Sequence, residues 1–260
     1  VFNHLDEPGR YIYIRDNEEE DYWSVSWKPV AKDLDEYSCE CRHGMGYTRM
    51  SSDYRDIHAE AVYYVPLGAT HEVWELSVTN NSERMRALTV TGYAEFTNNS
   101  NYEQDQVNLQ YSQFITRTAF HDNRIMQQVH GNLDALAPDE EVDDKKVTER
   151  FFGLAGMAVT SYCGDRAEFL GRGRGYGNPF GVERGELGGE QCYNENACGA
   201  LSSILILAPG ESRTMCFAVG MKYDEEAATI LDGYMNPATA CKAELEELAK
   251  HWEERLSHFN

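Results

Sequence analysis

The sequence predicts a mainly β protein in which two large antiparallel sheets form a sandwich and two helices follow at the C-terminal end. Three observations carry this. Most of the first 223 residues read in period two, as β-branched and aromatic runs separated by turn residues such as Asn80-Asn81-Ser82 and Pro209-Gly210. Helical periodicity is scarce before residue 224, and no dinucleotide fingerprint is present, which argues against a βαβ fold. The 260 residues are 42% hydrophobic and include 16 Tyr, enough to bury a sizeable core, and an all-β sandwich can use this length as one unit.

The strands expected in order are residues 11–14, 22–27, 37–42, 57–64, 73–79, 85–95, 111–118, 124–129, 200–207 and 215–221. After them the period changes. Asn236 followed by Pro237 reads as a helix N-cap with proline at the first helical position. Cys241, Leu245, Leu248, Trp252 and Leu256 then recur at intervals of three and four, the stripe of an amphipathic helix of about five turns. A shorter helix over 225–234 precedes it. The domain reading is a β-sandwich over 1–223 and a helical linker segment over 224–260, the last helix docking on the sheet or acting as a connector.

Charge narrows the partners. The 23 Lys and Arg against 44 Asp and Glu give a net −21, a field that repels phosphate backbones and anionic lipid, and no basic patch overrides it. Nucleic acid and membrane are therefore not expected partners. No run approaches the eighteen or so apolar residues of a membrane span, and residues 1–10 lack the order of a signal peptide. The first residue is Val, so processing and truncation both stay open. The seven Cys lack a double CxxC spacing, so neither a disulfide framework nor a metal site is expected. Cys39 and Cys41 share one strand face and are expected to be buried free thiols, which suits a cytoplasmic protein and makes the sequons at Asn80 and Asn98 chance matches. The acidic runs 138–146 and 18–21 read as solvated loops.

No GxSxG elbow, HExxH, P-loop or metal-spaced His pair occurs, and a glycosidase carboxylate pair cannot be picked out among 44 acids, so no catalytic residue is assigned. Three segments depart from ordinary sandwich sequence. In Cys41-Arg42-His43-Gly44-Met45-Gly46, Arg42 and His43 carry donors suited to sugar hydroxyls or phosphate, although a tight strand connection with Arg42 paired to an acid is favoured. Residues 97–108 are nearly all amide, hydroxyl and carboxylate around one aromatic, Tyr102, the mixture a polyhydroxylated ligand requires; a plain polar loop explains them equally well. Residues 171–181 alternate Gly with Arg and Tyr; an anion cradle is one reading, and an ordered loop crossing a sheet is preferred, with 188–196 leading back to the strand at Ala200.

The phrases YIYIRDNEEEDYWSVSWKPV, CRHGMGYTRMSS, VWELSVTNNSERMRALTVTGYAEF and GNPFGVERG, with the later LAPGE, resemble the N-terminal β-supersandwich domain of the inverting phosphorylases of glycoside hydrolase family ninety-four, over nearly the whole chain. Two further phrases, TNNSNYEQDQVNLQYSQF and CYNENACGAL, look closer to cellodextrin than to cellobiose phosphorylase. The resemblance implies a cytoplasmic homodimer that cleaves a β-linked gluco-oligosaccharide with inorganic phosphate to give α-glucose 1-phosphate, with phosphate as co-substrate and no metal or organic cofactor. It implies that the catalytic acid and phosphate site belong to an α/α barrel that is not among these 260 residues, so that the chain alone is inactive. It also implies that Asn98, Asn99, Asn101, Tyr102, Glu103 and Gln106 line the sugar subsites across the dimer, while Arg42 and His43 have a structural role near the interface. A stand-alone carbohydrate-binding module and a purely structural dimerisation domain are the competing readings. Helix 237–256 discriminates between them: a stand-alone module has little need for it, whereas a connector helix should present an apolar stripe to a barrel.

Overall fold

The computed structural model describes residues 9–97, 115–129 and 148–257. Its strands are β1 (Arg10–Asp16), β2 (Tyr22–Ser24), β3 (Tyr37–His43), β4 (Tyr47–Tyr54), β5 (Ile57–Tyr64), β6 (His71–Asn80), β7 (Arg86–Glu95), β8 (Thr116–His121), β9 (Arg124–Val129), β10 (Thr148–Ala155), β11 (Ser161–Asp165), β12 (Ala197–Leu207) and β13 (Ser212–Gly220). The helices are α1 (Arg166–Leu170), α2 (Phe180–Arg184), α3 (Asp224–Gly233) and α4 (Pro237–Leu256). A five-stranded sheet in the order β11-β12-β7-β1-β2 faces an eight-stranded sheet in the order β3-β4-β5-β6-β13-β10-β9-β8, and the paired strands are antiparallel. The fold is the mainly β sandwich that the alternation predicts.

That alternation produces three packed layers. Between the sheets, Ile12, Ile14, Leu88 and Val90 meet Trp74, Leu76, Phe152 and Phe217, with the Phe152 and Phe217 rings stacked at 5.5 Å. On the outer face of the small sheet, Tyr13 and Tyr93 pack under Phe169, Tyr176, Val182 and Leu187 from α1, α2 and their connections. On the outer face of the large sheet, Val62, Tyr64, Val73, Phe151 and Ala218 receive Ala227 and Leu231 of α3 and Cys241 and Leu248 of α4, flanked by Leu245 and Trp252. The stripe on α4 is thus packed against the chain's own sheet from Cys241 to Trp252, and Leu256 lies exposed.

Several details differ from the sequence reading. The strand expected over 22–27 stops at Ser24, because Ser26 to Lys28 curl back: Ser24 Oγ donates to Ser26 O at 2.8 Å, and Ala31 N donates to Trp27 O. The strand expected over 111–118 begins, within the described residues, at Thr116. Strands β4, β10 and β11 were not anticipated. In β10, Phe151 faces the helices and Phe152 faces the inter-sheet core, so both faces are apolar and no alternation marks it. Gly153, next along the strand, admits α3: a Cβ there would stand 2.4 Å from Leu231 Cδ1.

Cys39 and Cys41 are exposed, which corrects the expectation of buried thiols. They sit on β3, the outermost strand of the wider sheet, past the reach of the smaller sheet that buries Tyr37 on the same face. The run 18–21 is also more than a solvated loop. Asp21 holds Lys32, accepts from Tyr54 Oη at 2.8 Å and pairs with Arg55 at 3.3 Å, while Glu18 and Glu19 clasp Arg84. The acidic run 138–146 lies outside the described residues. Asn80 is buried, its amide donating to Arg84 O and Leu207 O, which closes that sequon in the folded chain; Asn98 lies outside the described residues.

Candidate functional site

The glycine-arginine segment is built of two short helices and the loop joining them, folded over the outer face of the small sheet. Asp165 caps α1, its Oδ1 accepting from the backbone N–H of Ala167 at 2.8 Å and of Glu168 at 3.2 Å. Phe169 of α1 stacks on Tyr93 of β7 at 4.6 Å, and Tyr13 Oη of β1 donates to Tyr176 O at 3.0 Å, so the first helix and the loop after it are both fixed to the sheet. Arg15 Nε donates to Glu183 O at 2.9 Å and holds the end of α2. Outward-facing Tyr13 and Tyr93 are the sequence signal for this extra layer, since a solvated sheet face does not carry such rings.

Between α1 and α2 opens a cleft of about 720 Å³ lined by Arg166, Glu168, Arg172, Arg174, Phe180 and Asn196. Behind it stands a half-buried polar cluster. Arg166 Nε donates to Tyr176 Oη at 2.9 Å and pairs with Glu95 at 3.4 Å, and Glu95 accepts from both Tyr176 and Tyr93. Burial works against the Arg166 charge, but Glu95 and the two tyrosines outweigh it and hold the guanidinium protonated. Burial, then the neighbouring Glu95, pushes the Tyr176 hydroxyl up, so it stays a hydrogen-bond donor. Phe180 is 42% exposed, with the guanidinium carbons of Arg174 and Arg184 at 5.6 and 5.4 Å from its ring centre. Arg174 is also paired with Glu183. An apolar ring among guanidinium, amide and carboxylate groups is a surface suited to a hydroxylated ring, with cationic groups at hand for an anion.

Of the residues expected at the site, Asn98, Asn99, Asn101, Tyr102, Glu103 and Gln106 lie outside the described residues. The strand that precedes them in sequence, β7, ends at Glu95 in the cluster behind the cleft. Arg42 and His43 are not at this cleft. They lie on the edge of the large sheet, Arg42 paired with Glu40 at 2.8 Å and His43 Nδ1 3.0 Å from Thr48 Oγ1. Glu95 and Arg166 were not anticipated as site residues; Phe180 falls within the glycine-arginine run 171–181 singled out in the sequence. Among the described residues no three His, Cys, Asp or Glu are grouped to hold a metal, and no helix is long and apolar enough to cross a membrane.

The model of the glycosyl hydrolase 94 supersandwich domain matches residues 3–237. The chain belongs to this family. As a glycosyl hydrolase 94 supersandwich it is 33% identical over 258 residues to an N,N'-diacetylchitobiose phosphorylase of Vibrio proteolyticus, covering 98% of this chain and 30% of that protein. It is 31% identical over 206 residues to a solabiose phosphorylase of Paenibacillus borealis, covering 79% of this chain and 25% of that protein. A 3-O-beta-D-glucopyranosyl-beta-D-glucuronide phosphorylase of the same organism is 27% identical over 217 residues, covering 81% and 26%. The chain thus spans about a quarter to three tenths of the length of these relatives.

Proposed function

We propose that this supersandwich serves an inverting phosphorylase of a β-linked disaccharide or short oligosaccharide. In that reaction a phosphate oxygen attacks the anomeric carbon, the glycosidic C–O bond breaks, and an acid protonates the leaving sugar oxygen, giving an α-sugar 1-phosphate and a shortened acceptor. The observation that carries the reading is the 33% identity sustained over 98% of the chain. The acid and the phosphate site belong to a catalytic barrel outside these residues, so the 260-residue chain alone is inactive. Phosphate is a co-substrate, no metal or organic cofactor takes part, and the protein works as a cytoplasmic homodimer in which Asn98, Asn99, Asn101, Tyr102, Glu103 and Gln106 line the sugar subsites.

The sequence phrases favour a cellodextrin or cellobiose, and the relatives named for N,N'-diacetylchitobiose make that disaccharide the second substrate to test. The decisive measurement incubates the whole protein with phosphate and, separately, cellobiose, cellotriose and N,N'-diacetylchitobiose, and assays sugar 1-phosphate. Formation from one of them at enzymatic rates is expected; none from any would overturn the reading, as would turnover by the 260-residue chain alone.

A second reading, a free-standing carbohydrate-binding sandwich, draws on one observation: α4 packs its stripe on its own sheet. Calorimetric titration of the chain with cellodextrins separates it, since binding without phosphorolysis by the whole protein is expected only from a binding module.

A further inference from the structure

Away from the cleft, the edge strand β3 carries a second set of reactive side chains. Cys39, Cys41 and His43 alternate on one face, and β4 places Ser52, Met50 and Thr48 opposite them in register. Cys41 and His43 are exposed and Met50 is half-buried. Cys41 Sγ lies 3.6 Å from His43 Nε2, while His43 Nδ1 lies 3.0 Å from Thr48 Oγ1. With Nδ1–H donating to Thr48, the Nε2 lone pair faces the thiol, and the outer partner fixes the ring as it does in metal-ligating histidines.

The spacing suits an ion as well as a proton. A thiolate at about 2.3 Å and an imidazole nitrogen at about 2.0 Å from one ion stand about 3.6 Å apart when the bonds open to about 112°. The same gap accommodates an S–H···N hydrogen bond, so binding exchanges the thiol proton for the ion and releases one proton to water. Zinc is the wrong ion here, because among the described residues no third His, Cys, Asp or Glu completes a set. Thioether sulfur suits softer ions, and Met50, paired in register with Cys41 and packed at the rim of the inter-sheet core, carries one on a side chain with three rotatable bonds. The other five cysteines are buried, which leaves this strand as the place where a thiophilic ion meets an exposed cysteine thiol.

We propose that Cys41 and His43, with Met50 as third donor, form a binding site for a soft monovalent ion of the Cu(I) type. The test is anaerobic titration of the chain with Cu(I) against a chromophoric chelator. One ion per chain is expected, with Cys41→Ser and His43→Ala each weakening affinity about tenfold or more, Met50→Leu weakening it about threefold, and Cys39→Ser changing it little. Circular dichroism checks that each variant is folded, and at this exposed edge all four are expected to be. Unchanged affinity in His43→Ala or Met50→Leu, or equal losses in Cys39→Ser and Cys41→Ser, would mean an unspecific thiol pair and overturn the site.

Discussion

The residue that best shows what burial demands is Asp16. It sits at the end of β1 with no exposed surface, and Arg86, at 3%, is as deeply buried. Arg86 Nε donates to Asp16 Oδ2 at 2.9 Å and Arg86 Nη1 donates to Arg55 O at 2.9 Å, while the amides of Glu18 and Glu19 complete the carboxylate's partners. Truncating one partner strands the other charge in the core. Arg86→Ala is therefore expected to destabilise the chain by about 3–5 kcal/mol in urea unfolding, and a loss under about 1 kcal/mol would mean that water reaches the carboxylate. Burial alone would raise the Asp16 pKa, but the Arg86 hydrogen bonds and the two amides outweigh it and hold it below its ordinary 3.8. Asp21 is likewise lowered, burial being outweighed by Lys32 and Tyr54. Because the folded pKa is the lower one, this stability is present above 3.8 and is lost as pH falls through the folded values. Urea midpoints between pH 5 and pH 2.5 should fall, and Asp16→Asn should flatten that fall; an unaltered slope would remove Asp16 from the acid response. None of this was legible in sequence, where Asp16 merely precedes an acidic turn and Arg86 lies 70 positions away.

Among the elements, α4 was the most legible and its docking the least. The three-and-four spacing of Cys241, Leu245, Leu248 and Trp252 sets a helix with one apolar face whatever that face meets. The receiving surface combines β5, β6, β10 and β13, whose outward residues come together only when the large sheet forms. The β3–β4 hairpin also reaches the far end of the helix, where a Cβ on Gly46 would stand 2.9 Å from both Leu248 Cδ2 and Trp252 Nε1, and where φ is +87°. The glycine next to Met45 is thus demanded twice, by backbone conformation and by the helix above it. Gly46→Ala is expected to cost at least about 1 kcal/mol. Leu248→Ala, at a site 4% exposed, should cost about 2–4 kcal/mol. Since the two changes touch one contact, their combined loss should fall short of the sum in a double-mutant cycle; strict additivity would show that the hairpin and helix do not press on each other. Strands β4 and β10 stayed illegible for opposite reasons, one largely polar in sequence and one apolar on both faces.

Across the whole molecule, a net −21 sets acids against one another, and the arginines named above are mostly committed to local carboxylates. Screening should relieve the remainder: the melting temperature is expected to rise by a few °C between about 10 and 200 mM NaCl, and a flat response would show that the pairs already balance the field. By itself the sequence determined the sandwich, its closing helices and the family, because alternation, helical spacing and the family phrases are local or linear properties of the chain. Only the tertiary structure decided that Glu95 meets Tyr176 from 81 positions away, that an arginine-lined cleft forms over the small sheet, and that Cys39 and Cys41 face solvent. Each of these depends on which sheet extends past the other and on which layer covers which face, and pairing across such distances is selected by the burial of the assembled faces, which no short stretch of sequence carries.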